Sequence, residues 1–171
     1  MNELQSIFLK AAVPAAFQSQ RETGVPASIT LAQAILESGW GQTGLAKKGN
    51  NYFGIKAEAH AAPDDYIEMP THEVISGHSV EELARFARYA TPLDGFKAHG
   101  LLLSQASRYQ PAMAVRHDPA QFAAALQHCG YSTNPHYAEA LMALVAELDL
   151  AQYDTQQTQP ATPAEGTNHE A

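Results

Sequence analysis

Cysteine is all but absent: Cys129 stands alone among 171 residues, so no internal disulfide can form and cysteine usage does not indicate a compartment. Long apolar runs are missing too. No stretch approaches the ~18 consecutive apolar residues of a membrane-crossing helix. The opening MNELQSIFLKAAVPAAFQSQ makes a poor signal peptide, because Glu3 precedes the only lysine and Lys10 and Pro14 interrupt the apolar run. Positive charge is scarce, 10 Lys and Arg against 18 Asp and Glu, a net charge of −8. Nucleic acids and anionic membranes need a basic face, so a neutral or zwitterionic ligand suits this chain better. No internal repeat is visible, which removes solenoids and propellers. Apolar residues nevertheless make up 45%, and a chain of ~150 folded residues can bury roughly 70% of its unfolded surface.

Helical periodicity dominates what is present. Leu4, Ile7, Phe8 and Ala11 mark a first helix, and Pro14 is expected to start a separate segment reaching Glu22. Pro26 suits the first position of a helix that runs to Ser38. Thr91-Pro92, Asp118-Pro119 and Asn134-Pro135 each pair a capping residue with proline and predict three further helix starts. The second of these carries Phe122, Leu126 and Cys129 on one face and ends at Gly130; the third carries Ala138, Leu141, Leu144, Val145 and Leu148. From Asn51 to about Tyr89 the clusters YFGIKA, DDYIEM and HEVI favour strands and predict a small hairpin. SVEELARFARY stays open between a helix, from the spacing of Val80, Leu83, Phe86 and Ala87, and an edge strand. Residues 1–150 form the expected folded domain. Residues 151–171, rich in Gln, Thr, Pro and Ala, are expected to be a disordered tail.

Several catalytic signatures fail on inspection. Gly44 to Gly49 has phosphate-loop spacing but continues with Asn50 and Asn51 instead of Lys and Ser or Thr. His72-Glu73 lacks the second histidine of a zinc-protease helix, and Ser38 lacks the glycine of a hydrolase elbow. Cys129 could pair with His117 or His136 as a thiol nucleophile, yet its place on an apolar face suits a small core residue better.

Glu37 is the carboxylate that stands out. Ile29, Leu31, Ala32, Ala34, Ile35 and Leu36 cover nearly the whole circumference of its helix with apolar groups, so the helix should be buried. Burial and the negative end of the helix dipole both disfavour the ionised acid and push its pKa up. A carboxylic acid kept protonated near neutral pH is what a glycosidase uses to protonate the leaving oxygen. The bland alternative is a helix-end residue reaching the rim. Gly39 and Gly41 then allow a sharp turn and leave room for a ligand, and Trp40 could stack on a sugar face.

The string ETGVPASITLAQAILESGWGQTGLAKKGNNYFGIKA resembles the signature of the glucosaminidase family of peptidoglycan hydrolases, glycoside hydrolase family 73. FARYATPLDGFKAHGLLL and AALQHCGYSTNPHYAEALMALV are similar to two further blocks of that family, so the resemblance runs from about residue 5 to 148. It implies a mainly α (α+β) class, a lysozyme-like helical domain with a small β-hairpin lobe. The implied activity is an endo-β-N-acetylglucosaminidase cutting the β-1,4 bond between N-acetylglucosamine and N-acetylmuramic acid, with no metal or organic cofactor. Glu37 matches the family's general acid. PTHEV places Glu73 as the second carboxylate, with Glu68 as the competitor. Tyr131 matches the tyrosine facing the acid. Trp40, Asn51, Tyr52, Phe53, Gly54 and Tyr137 fall to substrate binding or cleft shape. An inverting route with Glu73 as base and substrate-assisted catalysis by the acetamido group both remain open.

The partner implied is the wall glycan. A wall substrate without a recognisable signal peptide leads to the expectation of a bare catalytic module made in the cytoplasm and exported by a non-Sec route. Such a module could be an antibacterial effector blocked in its producer by an immunity protein in the groove. A flagellar or phage wall-remodelling enzyme is an alternative, as is a noncatalytic glycan-binding or assembly module, which would not need a buried acid at position 37.

Overall fold

The computed structural model describes residues 1–75 and 78–154, and for 72–75 and 78–81 the backbone alone. The first helix, α1 (Glu3–Thr23), begins with a reciprocal cap in which the Asn2 and Gln5 side chains each accept the other's backbone N–H at 2.9 Å. It is one helix, not the two segments expected, and Pro14 lies inside it. An interior proline removes a backbone hydrogen bond and costs ~3 kcal/mol or more. Pro14 and Lys10 are both exposed, so water can take the freed carbonyl, and packing on a later helix offsets the rest. The face that α1 buries is Phe8, Ala12, Ala15, Ala16, Ser19 and Gln20, whereas Leu4 and Ile7, whose spacing marks the helix, are exposed.

Helix α2 (Ala27–Ser38) is the centre of the core, with all residues from Ala27 to Ile35 buried. The expectation of a fully covered helix fails at Leu36, which is 42% exposed one position before Glu37. Pro26 sits at the cap position, one residue before the expected first turn. Two distant side chains satisfy the free donors there: Ala27 N–H donates to Gln20 Oε1 at 3.0 Å and Ser28 N–H to Asp154 Oδ1 at 2.9 Å. The ordered chain thus runs past residue 150. Leu150 is fully buried in a 3₁₀ turn (Leu150–Tyr153), and Tyr153 packs on the core. The rest of the expected tail, 155–171, lies outside the described residues.

After α3 (Gly44–Gly49), too short for helical periodicity to mark, β1 (Tyr66–Ile75) and β2 (His78–Ala87) form an antiparallel hairpin in register from Tyr66↔Ala87 to Ile75↔His78. SVEELARFARY is therefore a strand as far as Ala87. Its period is two: Ala84 is buried while Leu83, which helical spacing would turn inward, is 71% exposed. The YFGIKA cluster contributes a bridge between Lys56 and Phe86, with Ala57 N–H donating to Arg85 O at 3.0 Å and Ala87 N–H to Ile55 O at 2.9 Å. Ile67 and Met69 seat the hairpin on the glycines that bound α3, where an added methyl would crowd both side chains.

Helices α4 (Pro92–Gln105), α5 (Gln110–Ala114), α6 (Pro119–His128) and α7 (Tyr137–Glu147) complete the domain. Thr91 and Asp118 cap α4 and α6 through their side chains, as the cap-proline pairs predict. α7 begins two residues later than expected from Asn134-Pro135. Asn134 Oδ1 accepts from His136 N–H inside a preceding turn, and Gln127 of α6 takes over, accepting from Ala138 N–H at 2.8 Å and donating to Pro135 O at 2.8 Å. α1 crosses α4 closely: Ser19 Oγ donates to Phe96 O at 3.0 Å, and a methyl at Gly100 would collide with Ser19 and Thr23. Among the described residues no helix is long and apolar enough to cross a membrane.

Candidate active site

α2 ends one residue after Glu37, and the turn that follows is unusual. Gly39, Trp40 and Gly41 all have positive φ, 56°, 62° and 73°. For tryptophan that conformation costs roughly 1–2 kcal/mol. Ser38 holds it in place, with Oγ donating to Ala34 O and accepting Gly41 N–H at 2.7 Å while its carbonyl accepts from Gln42 and Thr43 N–H. The expected sharp turn is present. The close neighbour of Gly41 is the Phe8 ring, 3.2 Å from where a Cβ would stand.

This turn leaves the Glu37 side chain facing two tyrosines. Tyr137, in the first turn of α7, donates its hydroxyl to Glu37 Oε1 at 2.7 Å, and Tyr131 donates to Oε2 at 3.3 Å. Their rings stack at 5.5 Å and 24°. Tyr131 follows Gly130, whose φ of 73° turns the chain back, and Arg108 clamps that turn by donating to the carbonyls of Cys129 and Gly130 at 3.0 and 2.7 Å. Burial raises the Glu37 pKa from 4.5 to about 7, while the two tyrosine hydrogen bonds pull the other way. The upward direction matches the sequence argument, and desolvation is its main cause. Burial and the nearby carboxylate hold both tyrosines well above their usual range, so they remain neutral donors.

Two groups beyond the expected set join here. Gln33, one turn before Glu37 on α2, is fully buried and donates from Nε2 to Tyr137 Oη at 2.9 Å. His99 of α4, also fully buried, places Nε2 at 3.3 Å from Tyr131 Oη and stacks on Phe53 at 3.9 Å and 18°. The available signal for Gln33 was its place one turn before Glu37 on the same helical face, and for His99 a lone polar side chain among the buried Phe96, Gly100 and Leu103.

The remaining expected site residues are dispersed. Asn51 is 1% exposed and acts inside its own loop: its amide donates to Ile55 O and Ala87 O, and its Oδ1 accepts from Phe53 and Ile55 N–H. That leaves it no free polar group for a substrate. Phe53 is core and Gly54 is exposed with a φ of 62°. Trp40 packs edge-on against Phe8 at 5.8 Å. With Leu4, Ile7, Phe8, Gln42 and Tyr52 it lines an apolar groove of about 520 Å³ that does not include Glu37. Glu68 is exposed and paired with Arg85 across the hairpin at 3.2 Å. Glu73 lies in β1 opposite Val80, and its side chain falls outside the described residues. Cys129 caps the C-terminus of α6, half-buried beside the core. Among the described residues no three His, Cys, Asp or Glu side chains converge as a metal site.

Residues 13–150 match the model of the glucosaminidase family, described as mannosyl-glycoprotein endo-beta-N-acetylglucosaminidase. The exo-glucosaminidase LytG of Bacillus subtilis is 37% identical over 132 residues, 74% of this chain and 45% of that protein. The peptidoglycan hydrolase FlgJ of Salmonella typhimurium is 34% identical over 143 residues, 81% of this chain and 44% of that protein. The chain therefore spans less than half the length of either relative. The catalytic domain of the autolysin Auto from Listeria monocytogenes superposes with a TM-score of 0.79 at 27% identity, covering 90% of this chain and 89% of that domain. At 21% identity and a TM-score of 0.58, the same fold occurs in a type VI secretion system effector-immunity complex from Pseudomonas protegens, covering 88% of this chain and 96% of that one.

Proposed function

Since the chain belongs to the glucosaminidase family, glycoside hydrolase family 73, we propose that it hydrolyses the β-1,4 bond between N-acetylglucosamine and N-acetylmuramic acid in peptidoglycan, with Glu37 as the proton donor. The observation that carries this is a carboxyl group with a pKa of about 7, held by two neutral tyrosine donors at the end of a buried helix. Near neutral pH a large share of Glu37 is protonated and can deliver its proton to the departing glycosidic oxygen. Tyr131, half-buried, is placed to meet the substrate beside the acid. Glu73 is the proposed base for water. Glu68, exposed and paired with Arg85 at 3.2 Å, is its competitor. Trp40 and Tyr52 are proposed to hold more distant parts of the strand.

Digestion of purified wall sacculi followed by mass spectrometry tests this reading. Fragments with new N-acetylglucosamine reducing ends are expected. Release of peptides without glycan cleavage, or no release, would overturn it.

The finer part of the proposal is delivery. The protein is proposed to reach the wall by a non-Sec route as an antibacterial effector, restrained in its producer by an immunity protein. The support is the fold it shares with the Pseudomonas protegens effector. Sent to the periplasm on a Sec signal, the protein should lyse its host, and the same dose kept in the cytoplasm should be harmless. Equal toxicity in both compartments would contradict a wall target.

A further inference from the structure

A phenol hydroxyl has one proton to give, and this constrains the cluster around Glu37. Tyr137 Oη lies 2.7 Å from Glu37 Oε1 and 2.9 Å from Gln33 Nε2. The amide nitrogen can only donate, so Tyr137 accepts from Gln33 and donates to Glu37. Tyr131 Oη stands likewise between Glu37 Oε2 and His99 Nε2, 3.3 Å from each. His99 Nδ1 has no partner and the ring is fully buried. An Nδ1–H tautomer would bury an unpaired donor, which proteins avoid more strictly than an unpaired acceptor. The Nε2–H tautomer leaves only a lone pair unmet. Burial keeps the ring neutral, with its pKa pushed down to about 3, and the Phe53 stack fixes its plane.

We propose that His99 and Gln33 are positioning residues that fix the direction of both tyrosine hydroxyls, so that each oxygen of Glu37 accepts one hydrogen bond and the acid proton occupies a lone pair neither tyrosine faces. The two chains, His99 to Tyr131 to Oε2 and Gln33 to Tyr137 to Oε1, hold the carboxyl plane from both sides. Among the described residues, the other titratable group near this pair is Tyr109, with its ring 5.9 Å from that of Tyr131. The Arg108 guanidinium beyond it is engaged by the Cys129 and Gly130 carbonyls. The proposal rests on the assignment of Glu37 as the acid.

His99→Phe keeps a ring against Phe53 and removes the donor. On a soluble wall-glycan fragment, kcat should fall roughly 2- to 10-fold, the range of a hydrogen bond between neutral groups, with KM little changed. The alkaline limb of kcat/KM should move to higher pH, because Tyr131 then supports the carboxylate less well. His99→Gln, which can return an N–H near the Nε2 position, should restore part of both. Independently of activity, ¹⁵N NMR of the folded wild type should show His99 protonated at Nε2 and bare at Nδ1. The Nδ1–H tautomer, or a folded His99→Phe protein with wild-type kcat and an unmoved limb, would overturn the proposal. A wild-type protein that cleaves no glycan would instead defeat the assignment of Glu37, and the tautomer measurement would still decide the geometry.

Discussion

Glu37→Gln is expected to lower the rate of glycan cleavage by ~10²- to 10⁴-fold, the usual worth of protonating a leaving group in the transition state. The amide retains the length and shape of the acid and can accept one tyrosine hydroxyl, but it has no proton to transfer. The fold should be retained, because α2 is held by the buried run from Ala27 to Ile35 and by the donors capped at Gln20 and Asp154. Fragment release from sacculi, measured beside a circular dichroism spectrum, checks both halves. Near-wild-type release by the folded variant would remove Glu37 from the chemistry.

The same substitution should also gain stability relative to wild type as pH rises, and the sign follows from linkage. The Glu37 pKa is raised from 4.5 to about 7 on folding. Below pH 4.5 the carboxyl is protonated in both states and carries no penalty. As pH rises towards 7 the unfolded chain releases its proton while the folded one retains it, so stability from this group is progressively lost. The full difference amounts to about 3 kcal/mol, at 1.36 kcal/mol per pKa unit. Glu37→Gln escapes this loss. In urea titrations its stability relative to wild type should rise by up to about 3 kcal/mol between pH 4 and pH 8, on top of a pH-independent offset from the one tyrosine hydroxyl the amide cannot accept. A difference that does not change with pH would mean that burial is not what perturbs the acid.

What the sequence revealed and what it hid follow from the range of the interactions involved. Thr91-Pro92 and Asp118-Pro119 mark helix starts because capping is local: a side chain meets an N–H two or three residues away. Asn134-Pro135 has the same pattern but misses by two residues, since Gln127 from another helix supplies the cap. Pro14 implies a break that tertiary packing overrides. Leu83 and Phe86 have helical spacing, yet pairing with β1 makes the segment a strand, a contact no window of β2 alone contains. At the site, Glu37 was legible because a carboxylate ends an apolar helix, and Tyr131 and Tyr137 came from the family resemblance. Gln33 and His99 were missed for a shared reason. Each is a polar residue of a largely buried helix, and its partner lies 104 or 32 positions away. Asn51 also came from the family resemblance, and its own loop uses its side chain to hold Ile55 and Ala87.

The account stands on the protonation of one carboxyl, which can be observed directly. A ¹³C NMR titration of the Glu37 side-chain carboxyl in the folded protein should give a midpoint at about 7, coinciding with the alkaline limb of glycan cleavage. A midpoint near the ordinary value of 4.5, or an activity limb that does not follow it, would contradict the assignment of Glu37 as the proton donor.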